Sequence, residues 1–302
     1  MDTKKVILVT GSSSGFGRLT IETLAWQGHQ VYASMRDING RNAVASDQIR
    51  ELAERENLAI NLVELDVTDD VSVDQAISEV INRSGRVDVL VNNAGFGYMG
   101  PTETFTLDQI QQQFDTNFFG VARMNRAVLP YMRGQGSGLL MHVSSIAGRL
   151  TMPFMGIYSA SKFAVESLAE AYRYELSSLG IDSVIVEPGA FPTSIFAKIG
   201  QPADHSRLAE YGDLAKIPQQ MGAGLEEMFS GDTAPVPQEV ADAIAKLVAT
   251  PAGRRPLRTL VGQDAQAATA LNQVAEQAQE VLMEMFGLSD RMSMSSTELL
   301  AA

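Results

Sequence analysis

Cysteine is absent from the 302-residue chain, which excludes disulfides and thiolate metal sites. Histidine is scarce: His29, His142 and His205 stand far apart, with no ligand spacing among them. Positive charge is short as well. The 23 Lys and Arg against 36 Asp and Glu give a formal net charge of −13, so no basic stripe is available to meet the phosphates of a nucleic acid. Long apolar runs are missing. The stretch MDTKKVILVTG holds only a short one after its two lysines, less than a signal-peptide core or a membrane span needs, and reads better as a first strand. A cytoplasmic protein without a membrane span is the expectation. Low-complexity tracts and internal repeats are lacking too.

What is present is alternation. Short apolar runs at 5–10, 30–35, 60–67, 87–95, 138–145 and 181–189 read as buried strands. Between them, helical spacing of apolar residues covers 18–27, roughly 40–57, 70–83, 107–133 and a segment carrying Tyr158 to about Leu179. Strand and helix alternating in this way imply parallel βαβ units with helices on both faces of an open sheet. The pattern lapses over 190–235, where prolines and glycines mix with scattered Phe, Ile and Met. It resumes as a helix at 237–249, a short strand at 257–262 and a helix at 265–286. The expected organisation is one domain over 1–288 with an irregular insert at 190–235, an extra C-terminal helix, and a frayed tail at 289–302.

Open sheets of this kind bind ligands beyond the carboxyl ends of their strands, and the polar and glycine-rich stretches fall there. TGSSSGFG, Thr10 to Gly17, follows the first strand with glycines at 11, 15 and 17. Glycine there permits a tight turn and close backbone approach to a pyrophosphate, and the helix N-terminus that follows supplies free N–H groups. No Gly-Lys-Ser/Thr follows, so it is not a triphosphatase loop. YSASK places Tyr158 and Lys162 four residues apart, on one face of a helix. A nearby ammonium stabilises a phenolate and would lower the tyrosine pKa from ~10 toward the working range. The alternative is a surface helix carrying an ordinary Tyr and Lys.

These stretches together resemble the short-chain dehydrogenase/reductase family, on its hydroxysteroid and retinol dehydrogenase side. TGSSSGFG is similar to that family's Thr-Gly-x-x-x-Gly-x-Gly turn, NNAG (92–95) to its fourth-strand motif and YSASK to its Tyr-x-x-x-Lys pair. Ser145 stands at the spacing of its catalytic serine, Asn117 in DTNFFG at that of its helix asparagine, and PGAFPT (188–193) resembles its Pro-Gly stretch ending in Thr. The resemblance spans roughly residues 3–262. It implies a Rossmann-type, doubly wound α/β fold: a mainly parallel sheet of about seven strands with helices on both faces. It also implies an NAD(P)-dependent oxidoreductase. Tyr158 would be the general acid/base, Lys162 would lower its pKa and hold the nicotinamide ribose, Ser145 would hold the substrate oxygen, and Asn117 would position a water leading to Lys162. The cofactor would be bound by Gly11, Ser13, Ser14, Gly15, Phe16, Gly17, Arg36, Asp66, Val67, Asn93, Ala94, Gly95, Pro188, Gly189 and Thr193, besides Tyr158 and Lys162. Structural alternatives stand beside several of these. Ser144 or Ser145 could cap the next turn, with Ser144 the expected cap. Asn117 could satisfy backbone at a helix irregularity, Asn92 and Asn93 could form a turn, and Asp66 could cap a helix.

The second strand ends in VYASMRD. Relatives that use NAD carry an acid at the position of Met35, and here Arg36 follows instead, with Ser13 close in the turn, which favours NADP(H) over NAD(H). An acid at Asp37 leaves NAD(H) possible, and Arg36 as an exposed loop charge is the other reading. The apolar 190–235 segment, with RLTMPFMG (149–156), suggests an apolar ketone or secondary alcohol as small-molecule substrate; packing against the sheet or a subunit is the alternative. Competing functions are a 3-oxoacyl-carrier-protein reductase, disfavoured by the acidic charge, and a non-catalytic dinucleotide sensor, disfavoured by the intact Ser145, Tyr158 and Lys162. The resemblance further implies a homodimer or homotetramer formed through the helices that follow the fourth and fifth strands. No metal is suggested.

Overall fold

A computed structural model describes residues 4–231, 234–292 and 294. Of the expected tail, residues 293 and 295–302 lie outside the described residues; Ser289–Arg291 forms a single 3₁₀ turn. Seven strands make one sheet: β1 (Val6–Val9), β2 (Gln30–Met35), β3 (Ile60–Glu64), β4 (Val89–Asn92), β5 (Gly138–Val143), β6 (Ile181–Pro188) and β7 (Arg258–Val261). All neighbours are parallel, in the order β3-β2-β1-β4-β5-β6-β7. The doubly wound α/β fold read from the sequence is therefore the observed one.

Alternation along each strand sends side chains to two separate cores. Ile7 and Val9 join Ile21 and Leu24 of α1 (Gly15–Trp26), Ile49 of α2 (Ala43–Arg55) and Ile244 of the helix after the insert. Val6 and Leu8 face the other side. There they meet Ile77 of α3 (Asp70–Ser84), with Met124 and Val128 from the helix after β4. Chemistry at the ends sets the helix boundaries. Asp69 caps α3 by accepting from Ser72 N, and Gly85 closes it in the left-handed region at φ 72°. A capping box of Thr106 and Gln109 opens α4 (Leu107–Phe114).

The segment expected as one helix over 107–133 is interrupted. A π turn at Asp115–Phe119 joins α4 to α5 (Gly120–Gln135), and such turns concentrate at functional sites. Then α6 (Gly156–Leu176) carries Tyr158, and a 3₁₀ turn extends it to Leu179. The insert holds more regular structure than its sequence suggests: α7 (Ser194–Ala197), α8 (His205–Glu210) and α9 (Ile217–Ser230). The chain continues as α10 (Gln238–Ala249), β7 and α11 (Thr269–Met285). Among the described residues, no helix is long and apolar enough to cross a membrane.

Candidate active site

Chain order reverses between β1 and β4, and the crevice at their carboxyl ends is where such sheets take a ligand. The glycine turn fills it. Gly11 sits at φ 70°, and a Cβ there would lie 2.9 Å from Ala94 Cα; a Cβ on Gly17 would lie 2.4 Å from the Gly11 carbonyl oxygen. Only glycine allows the turn to close this tightly. Thr10 Oγ1 accepts from the N–H groups of Asn93 and Ala94, while Asn93 Nδ2 donates to the carbonyls of Thr10 and Gly11, stitching β4 to the turn. Helix α1 starts at Gly15 without a side-chain cap and without an acid in its first turn. Its free N–H groups and positive dipole end face the crevice, a donor set suited to an anionic pyrophosphate.

The crevice has a volume of about 570 Å³. Of the residues predicted to hold the cofactor, Gly11, Ser13, Ser14, Gly15, Phe16, Arg36, Asp66, Val67, Asn93, Ala94, Gly95, Tyr158, Lys162 and Thr193 line it. Gly17 lies behind it, inside the turn. At the end of the crevice beyond β2, Arg36 approaches Asp66 at 3.7 Å, and Arg41 and Asn42 line the same wall. Asp66 is not the cap of α3; that is Asp69. Its Oδ1 instead accepts from the N–H and hydroxyl of Thr68. Burial works against its charge, but the Thr68 hydrogen bonds and then the arginines outweigh it and hold the carboxyl below its ordinary value. Asp37 turns away: at φ 48° its Oδ2 accepts from Arg41 N, and it does not line the crevice.

A second cavity, about 330 Å³, opens beside the first. Phe16, Ser144, Tyr158, Thr193 and Ile195 border both, so Tyr158 stands where the two meet. The second is mostly apolar, walled by Met99, Met152, Met155, Phe191, Phe196, Ile199, Met221 and Leu225, with Ser145, Pro188 and Gly189 at its inner end. Phe196 of α7 packs on Phe229 of α9, with ring centroids 5.3 Å apart, which ties the insert together over this cavity.

Burial pushes the Tyr158 phenol up to about 12, and the hydroxyl of Ser145 is the group that opposes it. The lowering expected from Lys162 does not outweigh this burial. The ammonium lies 5.7 Å from the centre of the ring and gives one of its three N–H donors to the Val143 carbonyl at 2.9 Å. Lys162 is itself brought down to about 8 by burial, against the pull of Glu166 one turn along α6. Ser145, not Ser144, caps the turn that follows: its Oγ accepts from Ala147 N at 3.1 Å and donates to the Pro188 carbonyl at 3.5 Å. The Ser144 N–H continues the ladder to the Val186 carbonyl, and its Oγ lies beside Gly148 on the side of Glu166. Asn117 sits within the π turn. Its Oδ1 accepts from Phe96 N, and its Nδ2 donates to the Phe96 carbonyl and to Ser161 Oγ.

Sequence reasoning missed Arg41, Ser194 and Lys198. Ser194 Oγ and Lys198 Nζ reach Ser14 in the glycine turn at 2.9 and 3.2 Å, folding the start of the insert onto the crevice. A lysine five residues past PGAFPT was the available signal.

The short chain dehydrogenase family model matches residues 5–204. The chain is 42% identical to the 3-ketodihydrosphingosine reductase of Bacteroides thetaiotaomicron over 189 residues, 63% of this chain and 65% of that one. It is 34% identical to retinol dehydrogenase 8 of Bos taurus over 85% of this chain and 81% of that one. Among solved structures it resembles a short-chain dehydrogenase from Streptomyces avermitilis with a TM-score of 0.75 and 34% identity, covering 94% and 98% of the two chains. It also resembles a family member from Burkholderia phymatum in complex with NAD, with a TM-score of 0.71, 25% identity, and coverage of 94% and 96%. An alcohol dehydrogenase from Thermococcus sibiricus complexed with 5-hydroxy-NADP gives a TM-score of 0.67, 25% identity, and coverage of 85% and 96%. The chain therefore belongs to the short-chain dehydrogenase family, with retinol dehydrogenase among its relatives, and is an NAD(P)-dependent oxidoreductase.

Proposed function

We propose that the protein is an NADP(H)-preferring reductase and dehydrogenase acting on an apolar ketone and its secondary alcohol, with Tyr158 as general acid and base. The observation that carries this reading is the position of Tyr158 at the junction of a polar, backbone-lined crevice and an apolar cavity. Gly11, Asn93 and the start of α1 would hold a nicotinamide cofactor in the first, where it would supply a hydride for a carbonyl carbon in the second. A phenol kept protonated by burial is suited to donate its proton to the oxygen as negative charge develops there. Ser145 Oγ donates a hydrogen bond to the same oxygen, and the Lys162 ammonium stabilises the tyrosinate left behind. In the oxidative direction the tyrosinate takes the proton back.

Arg36 and Arg41 at the adenosine end favour a 2′-phosphate, since two guanidiniums face that wall and Asp37 is turned from it. NAD(H) remains a weaker alternative cofactor. Methionine and phenylalanine walls favour a long-chain or ring-bearing substrate. Exposed Tyr131 and Phe163, on α5 and α6, support a homo-oligomer. The test is consumption of NADPH and of NADH across small, aromatic, steroid-like and long-chain ketones, 3-ketodihydrosphingosine included, with retinol and NADP run in the opposite direction. Turnover of the larger apolar ketones with NADPH, lost in Tyr158→Phe, is expected. Turnover that survives Tyr158→Phe would overturn the mechanism, and preference for small polar ketones would overturn the substrate class.

A further inference from the structure

Behind the catalytic face of α6 lies a buried cluster of charge that the reaction described above does not use. Glu166 follows Lys162 by one helical turn and is 2% exposed; Glu187, on β6, is fully buried. Both carboxyls meet the same guanidinium. Arg258 Nε on β7 lies 3.0 Å from Glu166 Oε2 and 3.4 Å from Glu187 Oε1, and its Nη2 donates to Glu170 at 2.8 Å. From α11, Asn272 Nδ2 donates to Glu187 Oε2 at 2.7 Å, and the Asn272 Oδ1 accepts from Arg149 Nε. From the end of β5, Ser144 faces Glu166 across Gly148. Among the described residues, Glu166 Oε1, Glu187 Oε1 and Ser144 Oγ are buried without a well-aligned hydrogen bond, and Ser144 and Glu187 are near enough to Glu166 to act on its charge. Three carboxyls, two guanidiniums and the Lys162 ammonium therefore lie in one region, with Glu170 and Arg149 at its half-buried edge.

Fully ionised, these six groups sum to zero. They also sum to zero if Lys162 is neutral and one carboxyl keeps a proton. Two buried carboxylates against one guanidinium repel each other, which favours holding a single proton between them. We propose that Glu166 is a positioning residue for Lys162: it shares one proton with Glu187, and release of that proton supplies the negative charge that keeps the Lys162 ammonium charged. The idea rests on the reading that Lys162 must be charged to support Tyr158. The chemistry of the cluster agrees with it. Burial and the Glu187 charge push Glu166 up to about 7, while burial brings Lys162 down to about 8, so the two titrate close together.

Two isosteric variants should separate the roles of the two carboxyls. Glu166→Gln removes the supporting charge and should lower the Lys162 titration, followed through its Nζ resonance by NMR, by about 1 pH unit. Glu187→Gln removes the repulsion and lets Glu166 ionise at lower pH, so the protonated carboxyl should be lost at lower pH than in the unmodified protein. The Lys162 titration, which already meets an ionised Glu166, should then move less than in Glu166→Gln. The alkaline limb of the turnover profile should move with Glu166→Gln. Stability supplies a readout independent of turnover. Glu166 has a folded value raised from 4.5 to about 7, so its contribution is fully present below 4.5 and is lost as pH rises through 7. Glu166→Gln should remove that part of the fall in Tm. In the unmodified protein, infrared difference spectra should show a protonated carboxyl at pH 6 that is lost by pH 8.

A Lys162 titration unmoved in Glu166→Gln, or lowered as far in Glu187→Gln, would overturn the proposal, as would the absence of a protonated carboxyl at pH 6. The expected Lys162 shift in a protein whose turnover survives Tyr158→Phe would keep the proton pair and sink the reductase mechanism instead.

Discussion

The two cavities that meet at Tyr158 are built from different materials. The cofactor crevice is made by main chain: a glycine turn, strand ends and an uncapped helix start, all held by the hydrogen bonds of Thr10 and Asn93. The apolar cavity is made by side chains, methionine and phenylalanine above all, gathered from the turn after β5 and from α7 and α9 of the insert. Their packing differs to match. Every residue of β1 is buried, whereas α8 buries none of its residues and α9 buries only Pro218. A backbone-built site reads groups common to every substrate of the enzyme, so it is best made rigid. A side-chain-built site, on weakly buried helices, can change its shape by substitution without disturbing the sheet.

The largest expected effect strikes both cavities at their junction. Tyr158→Phe keeps the ring and removes the proton, so turnover should fall by ~10²–10⁴-fold with cofactor affinity nearly unchanged. Equal losses in turnover and cofactor affinity would mean that the hydroxyl holds the crevice together, and the two sites would then be one. Next is the backbone side alone. A methyl on Gly17 would sit 2.4 Å from the Gly11 carbonyl oxygen and 2.5 Å from Asn93 Nδ2. Strain of ~1–3 kcal/mol in the turn should weaken NADPH binding, measured by titration calorimetry, by about 10- to 100-fold. Met221→Ala, on the side-chain wall, should leave that affinity alone and raise KM for large ketones only.

That difference in material also explains what the sequence made legible. Strands, glycine turn and Tyr-Lys pair are local patterns, and their boundaries agree with the structure to within a few residues at most. Helices α7 to α9 escaped because helical periodicity is a burial signal, and these helices bury almost nothing. The π turn at Asp115–Phe119 escaped because one continuous apolar spacing runs through it. Spacing placed Lys162 on the face of Tyr158, yet spacing cannot show that the ammonium is turned to the Val143 carbonyl or that burial dominates the phenol. Likewise Ser144 and Ser145 are equivalent as sequence. Only the hydrogen bond from Ala147 N to Ser145 Oγ shows which of them caps.

A smaller effect separates the ends of the crevice. Arg36→Leu should reduce the preference for NADPH over NADH by about 10-fold, the scale of one charge-assisted hydrogen bond to a phosphate. Arg41 remains on the same wall to retain part of the preference. Unchanged preference in Arg36→Leu would assign the reading of the 2′-phosphate to Arg41.

The smallest effect is the most informative about how the two constructions are joined. Lys198 belongs to the side-chain-built region by position, since it directly follows α7, yet its Nζ reaches Ser14 of the backbone-built turn at 3.2 Å, beside Ser194 at 2.9 Å. These bonds tie the insert to the helix start where a pyrophosphate would lie. An exposed ammonium in that place is worth ~0.2–1 kcal/mol, so Lys198→Ala should weaken cofactor binding by no more than about 5-fold. The loss should be the same for NADPH and NADH, because the pyrophosphate is common to both, and the affinity should become less sensitive to salt. A loss confined to NADPH would place Lys198 at the ribose phosphate, with the insert reading the adenosine end. A higher KM for ketones with cofactor affinity unchanged would make Lys198 a support of the apolar wall, and the backbone-built crevice would then close without help from the insert.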